Sequence, residues 1–222
     1  MTSLAILLGL LVGARHAFEP DHLAAISTLV TGTRSRKNAS LLGLMWGLGH
    51  TIALLGVGLA LVLAGSVLPD RVGNAFELAV AAMLVLLGAR AIVRGLRNTD
   101  GHAGLHRHGG IAHMHGGAHD HVHVGDRALA WRPLTIGIVH GLAGSGALTA
   151  LAFAELPTTS ARVIYMLLFG VGSIAGMTLA TGIAGAALAR LSRGERAQRA
   201  LAVTTGCISC VCGVVWALPL VA

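Results

Sequence analysis

Between two apolar runs the chain reads ARHAFEPDHLAAI, residues 14–26, which sets Arg15, His16, Glu19, Asp21 and His22 around Pro20. Imidazole and carboxylate together suit borderline divalent ions such as Ni2+, Co2+ and Zn2+. In an unbroken helix the six-residue step from His16 to His22 is about 600° of rotation, so the two rings point well apart. Pro20 alters that, because its nitrogen cannot donate to the His16 carbonyl and its ring clashes with it. The helix is expected to kink or unwind there, letting His16, Asp21 and His22 converge on one ion.

Two more histidines sit at similar depth. By helical rise, His50 and His140 lie about 18 Å and 12 Å from one membrane face, and His16 about 20 Å from the other. A structural hydrogen bond to a neighbouring helix accounts for any one of them. Their shared depth favours a common metal site of His16, Asp21, His22, His50 and His140. Arg15 and Glu19 stand i, i+4, the spacing of an internal ion pair, and Glu19 is also a candidate ligand.

The elements that carry these residues are set by composition. Mean hydropathy is +0.76; 55% of residues are hydrophobic, only 11% are charged, and 31 are glycine. Apolar runs near the roughly 20 residues that cross a bilayer fall at 3–31 (interrupted), 39–66, 73–96, 133–154, 161–189 and 200–221. The expected fold is all-α, a polytopic membrane protein of six transmembrane helices with the first broken near Pro20. The first run has no basic segment before it and passes straight into charged residues, so it reads as a span rather than a signal peptide. A charged residue at the bilayer centre costs about 2.5–3.5 kcal/mol, so Arg15, Glu19 and Asp21 must face the bundle, paired or serving a ligand.

The net charge of +7 describes topology rather than a nucleic-acid site. Thirteen basic residues flank the segments around 32–38, 97–130 and 190–199, whereas Arg71 and Arg162 alone lie on the other side. Basic loops stay cytoplasmic, which puts both termini outside a cell (inner) membrane. The 97–130 segment holds eight of the twelve histidines among glycines: His102, His106, His108, His113, His115, His119, His121 and His123. Such a composition buries no core and is expected to be a disordered metal-gathering loop.

The chain also repeats itself. GARH at 13–16 and GIVH at 137–140 are offset by 124, while WGLGH at 46–50 and FGVGS at 169–173 are offset by 123. Three spans per half is an odd number, so the halves, 1–96 and 131–222, must be inverted repeats on either side of the 97–130 loop. That plan recurs in secondary transporters with a midplane site. Cys207, Cys210 and Cys212 form CISCVC in the last span, and buried membrane cysteines are more often small apolar packers than ligands.

The residues of the first stretch, RHAFEPDHLAAIS, resemble the His-x4-Asp-His signature of the nickel/cobalt transporter superfamily. WGLGHT resembles its second-span motif, and GIVHGLAGSGAL is similar to the fourth span of the UreH-like branch of the NicO group. The resemblance covers all six spans and implies transport of Ni2+ or Co2+, with His16, Asp21, His22 and His50 as metal-site residues. Glu19-Pro20 stands where the well-studied uptake branch usually carries Asp-Ala.

The function expected is therefore secondary uptake of Ni2+ or Co2+, with Zn2+ within the same chemistry and no organic cofactor. Efflux of the same ions, with the histidine loop gathering surplus metal, is the alternative. An intramembrane metalloenzyme is a remote one, since no HExxH motif or nucleophile–histidine arrangement is present. No P-loop is present to drive ATP-dependent pumping. The bilayer and the metal ion are the expected partners, with homo-oligomers or metalloenzyme-maturation proteins left open and nucleic acid excluded.

Overall fold

The computed structural model describes residues 2–31, 36–97, 105–108, 111–114, 122–124, 127–129, 131–192 and 194–221. Every one of the six apolar runs is helical. The first is divided into α1 (Thr2–His16) and α2 (Pro20–Val30), followed by α3 (Arg36–Ala64) and α4 (Asp70–Leu96). The second half supplies α5 (Trp131–Glu155), α6 (Thr159–Leu191) and α7 (Glu195–Val221). By length and composition, α3, α4, α6 and α7 are long and apolar enough to cross a membrane.

The fold carries its polarity inside out. Leu11, Leu63, Leu86, Val171 and Ile183 stand exposed on helix exteriors, whereas Asp21, His22, His50, His140, Ser173 and Thr181 are buried. An apolar exterior of this extent is what a lipid solvent requires. Inside it, Ser and Thr hydroxyls tie helices together through backbone carbonyls. Thr51 donates to Gly170 O at 3.2 Å, Ser173 to Gly13 O at 3.2 Å, and Ser209 to Leu84 O at 2.8 Å.

Close backbone approach sets the packing. A Cβ on Gly172 would strike the Leu10 carbonyl, and one on Gly13 the Phe169 carbonyl, where α1 meets α6. The counterparts where α3 meets α5 are Gly49 against the Leu134 carbonyl and Gly137 against the Trp46 carbonyl. Contacts rise together from Gly9 near Tyr165 to Gly13 near Phe169, and from Trp46 near Gly137 to His50 near Gly141, so α1 runs parallel to α6 and α3 parallel to α5. Between α3 and α6 they descend, from Gly43 near Thr181 to Thr51 near Gly170, and these helices are antiparallel. So are α4 and α7, joined at Gly88 with Cys210 and at Gly213 with Ala81.

Strands occupy the described residues of the histidine-rich segment, for which disorder was expected. Its described residues form two antiparallel hairpins, β1 (Leu105–His108) with β2 (Ile111–Met114) and β3 (Val122–Val124) with β4 (Arg127–Leu129). Glycine composition, which argues against a core, also suits tight turns. Each pair is separated in sequence by Gly109-Gly110 or Gly125-Asp126, dipeptides favoured by two-residue hairpins. His106 and His113 are directly opposite in the register; His108 and His123 lie on β1 and β3. His102, His115, His119 and His121 lie outside the described residues, as do positions 32–35 of the first basic loop.

Candidate metal centre

The chain breaks where Pro20 demands it. α1 ends at His16, whose carbonyl, denied a donor at position 20, accepts the Glu19 N–H at 3.1 Å. α2 then starts with Pro20 at its first turn, where a missing N–H costs nothing. The three-residue interruption rotates α2 against α1 and brings the His16 and His22 ring centroids to 4.4 Å. The helical i, i+4 spacing anticipated for Arg15 and Glu19 ends with α1. Glu19 reaches His16 instead, with Oε2 2.9 Å from Nδ1.

His50 and His140 complete the cluster from α3 and α5. His50 lies 5.2 Å from His16 and 5.3 Å from His22 between ring centroids, and His140 lies 4.1 Å from His22. Gly141 explains how the two helices come so near: a Cβ there would collide with the His50 backbone carbonyl. All five residues named from the sequence therefore converge, in two groups that share His22. In each, one ligand atom per residue lies within 4.8 Å of the others: His16, His22 and His50, and Asp21, His22 and His140.

The hydrogen bonds assign these atoms distinct parts. Asp21 Oδ1 lies 3.0 Å from His22 Nδ1, and its Oδ2 lies 2.7 Å from His140 Nε2. An ionised carboxylate only accepts, so both nitrogens carry protons. Glu19 does the same for His16 Nδ1. What remains is a set of buried ring nitrogens with no partner: His16 Nε2, His22 Nε2, His140 Nδ1 and both nitrogens of His50. Buried polar atoms are nearly always hydrogen-bonded, so this many unpartnered in one place is the signature of a ligand site. Metal-binding histidines commonly donate their second N–H to a carboxylate, which holds the tautomer and the ring orientation.

Space is reserved beside these nitrogens. A Cβ on Gly144 would lie 3.7 Å from His16 Nε2 and 3.9 Å from His50 Cε1, so the glycine leaves a void facing both rings. A cavity of about 350 Å³ leads to the cluster and is walled by His16, Glu19, His22, Glu77, Phe169 and Trp216. Beyond the site itself, its lining comes from Val12 of α1, the N-terminal halves of α4 and α6 and the C-terminal halves of α5 and α7. It therefore opens at the end of the bundle opposite the histidine-rich segment.

Three contributors went unnoticed in the sequence. Gly144 lay within the quoted GLAGSGAL without a role. Trp46, fully buried with an unpartnered indole N–H, stacks near His22 and His140 at 5.4 and 5.8 Å. Glu77 had a signal, being the one charged residue between Arg71 and Arg90. Among the described residues no thiol joins either group of ligand atoms: all three are free, and Cys210 packs at Gly88 with Sγ 3.5 Å from Val85 O.

A family model described as high-affinity nickel-transport protein, NicO, matches residues 2–205. The chain belongs to the NicO family. It is thus a transport-family membrane protein and not an enzyme, with nickel as the family's ion. Among relatives, the urease accessory protein UreH of Bacillus sp. (strain TB-90) is 34% identical over 93% of this chain and 87% of its own length. The chloroplast protein FOR GROWTH AND FERTILITY 2 of Arabidopsis thaliana is 26% identical over 76% of this chain and 44% of its own length. No solved structure matches this NicO chain.

Proposed function

We propose that this NicO member is a secondary transporter that imports Ni2+ or Co2+ through a site built from His16, His22 and His50. Asp21 and Glu19 hold the ligating rings, and His140, fixed on Asp21, offers its Nδ1 beside them. The observation that carries this reading is the meeting of unpartnered imidazole nitrogens at a buried point reached by a cavity. Neutral imidazoles are ligands for borderline divalent ions, and Zn2+ falls within the same donor chemistry. Capture weakens as pH falls, because a protonated ring cannot ligate.

Six spans in two inverted three-helix repeats underlie the transport. In its support, the contacts Gly13–Phe169 and Gly172–Leu10 recur as Gly137–Trp46 and Gly49–Leu134, at the offsets of 123 and 124 found in the sequence. Equivalent helices α3 and α6 are antiparallel, as are α4 and α7. Two halves that each present one wall of the site can rock about it, the alternating-access plan of such repeats.

Direction follows from which end opens. With the basic loops cytoplasmic, the cavity faces the outside, and the ion is taken from there. Accumulation of radiolabelled Ni2+ in cells with and without the protein tests this. Rising accumulation means import. Falling accumulation means efflux, the reading favoured by a histidine-rich segment at the opposite end. Unchanged levels reject both.

A further inference from the structure

We infer that Glu77 is the outer capture carboxylate of the ion pathway, binding the hydrated divalent cation in the cavity before the histidines strip it. This rests on the metal-import reading and extends it to a residue outside the histidine cluster.

Glu77 sits seven residues into α4, about 10 Å along the helix axis from its start. It is half-buried within a candidate membrane span and stands on the cavity wall one turn from Val80, which lines the same space. An intramembrane acid is costly at the bilayer centre, less so toward the edge, and marks an ion path by default. At about 30 Å³ per water, the 350 Å³ cavity holds a hydrated ion and several further waters. At its inner end wait His22 Nε2 and His140 Nδ1, both unpartnered and on side chains 1% and 2% exposed.

The sequence of environments is chemically ordered. A carboxylate on a wet wall attracts a cation that keeps its water shell, whereas the buried nitrogens require that shell to be shed. Glu19, half-exposed on the same cavity, adds negative charge there but is engaged with His16 Nδ1. Glu77 is thus the carboxylate placed to act on the ion first. A low-dielectric cleft lined by such charge concentrates counter-ions by about tenfold or more.

The test is initial-rate Ni2+ uptake into vesicles reconstituted with the full-length protein, measured against external Ni2+ and against salt. Glu77→Gln should raise the apparent KM about tenfold and leave the maximal rate unchanged. The wild-type KM should climb more steeply with ionic strength than that of Glu77→Gln. Glu77→Asp, which keeps the charge, should stay near wild type and serves if Glu77→Gln does not fold. An unchanged KM in Glu77→Gln, a fall in maximal rate alone, or a wild-type KM insensitive to salt each overturns the capture role. No uptake by wild-type vesicles overturns the import reading and this inference with it, so the two failures are told apart.

Discussion

At the residue scale the site depends on which nitrogen of each histidine is left bare. Asp21 takes an N–H from His22 on one oxygen and from His140 on the other. An amide has a single acceptor oxygen and adds donors of its own, so Asp21→Asn cannot hold both rings in the tautomer that leaves their other nitrogens bare. Equilibrium dialysis of the purified variant should show Ni2+ affinity lowered about 10–100-fold, the range for removing a carboxylate that supports a metal-binding histidine. His22→Ala deletes the residue shared by both groups and should leave flux near background in a protein of native helicity. Gly144→Ala tests the void. Its methyl would rest 3.7 Å from His16 Nε2, an ordinary contact that the fold tolerates, yet it occupies room that the ion needs. Ni2+ affinity should fall while thermal stability holds. Equal affinity in that variant would show that the ion sits elsewhere.

At the scale of the element the decisive feature is the interruption between α1 and α2. The His16 carbonyl, which a continuous helix would bond to the residue at 20, turns to Glu19 N–H. Pro20→Ala restores the missing donor and relieves the ring clash. The helix should then run on through 17–19, carrying His22 round the axis and away from His16. Purified Pro20→Ala is expected to gain or keep helicity by circular dichroism while binding Ni2+ more weakly than wild type. Tight binding by a variant with increased helicity would mean that the break is not what gathers the ligands. The α3–α5 crossing is the second element that matters. Gly49, Gly137 and Gly141 let the two backbones close in and thereby set His50 and His140 on the same cluster. The glycines around His50 are thus packing contacts that also serve the site.

For the whole molecule, the membrane histidines and the loop histidines should separate in function. The first group works through fixed geometry, and the second offers several imidazoles, of which any one is redundant. Deleting residues 101–124 should leave flux measurable in reconstituted vesicles and shift only its dependence on metal concentration, as a tethered local reservoir does. Loss of all flux in the deletion, with His22→Ala active, would move the transport site to the loop. Orientation has its own measurement. Tags at either terminus should be reached by antibody on intact cells, and a protease site within 97–130 should be protected. External cleavage there would reverse the assignment of sides, and with it the direction drawn from the open cavity.

Hydropathy and one proline were enough to mark the helices and the break in one dimension. Apolar runs marked every helix because lipid admits no unsatisfied backbone, and Pro20 marked the break because its ring forbids the bond that continuity requires. The candidate ligands were legible because ionisable groups inside apolar runs are costly enough to need a reason. The pairing of Glu19 with His16 rather than Arg15 was not legible, since it arises only once α1 has ended and the chain has turned. Nor was the part of Asp21 as a bridge between His22 and His140, which joins residues 119 apart in the chain. Gly144 and Trp46 gained their meaning from the helices facing them, and Glu77 from a cavity that no single helix contains. The pairing of β1 with β2 and of β3 with β4 was hidden by a glycine-rich composition that argues equally for disorder and for tight turns. Types and spacings thus named the chemistry, while the tertiary structure alone decided which atoms are spoken for and which are left to meet an ion, because a hydrogen-bond partner is a fact of space and not of order along the chain.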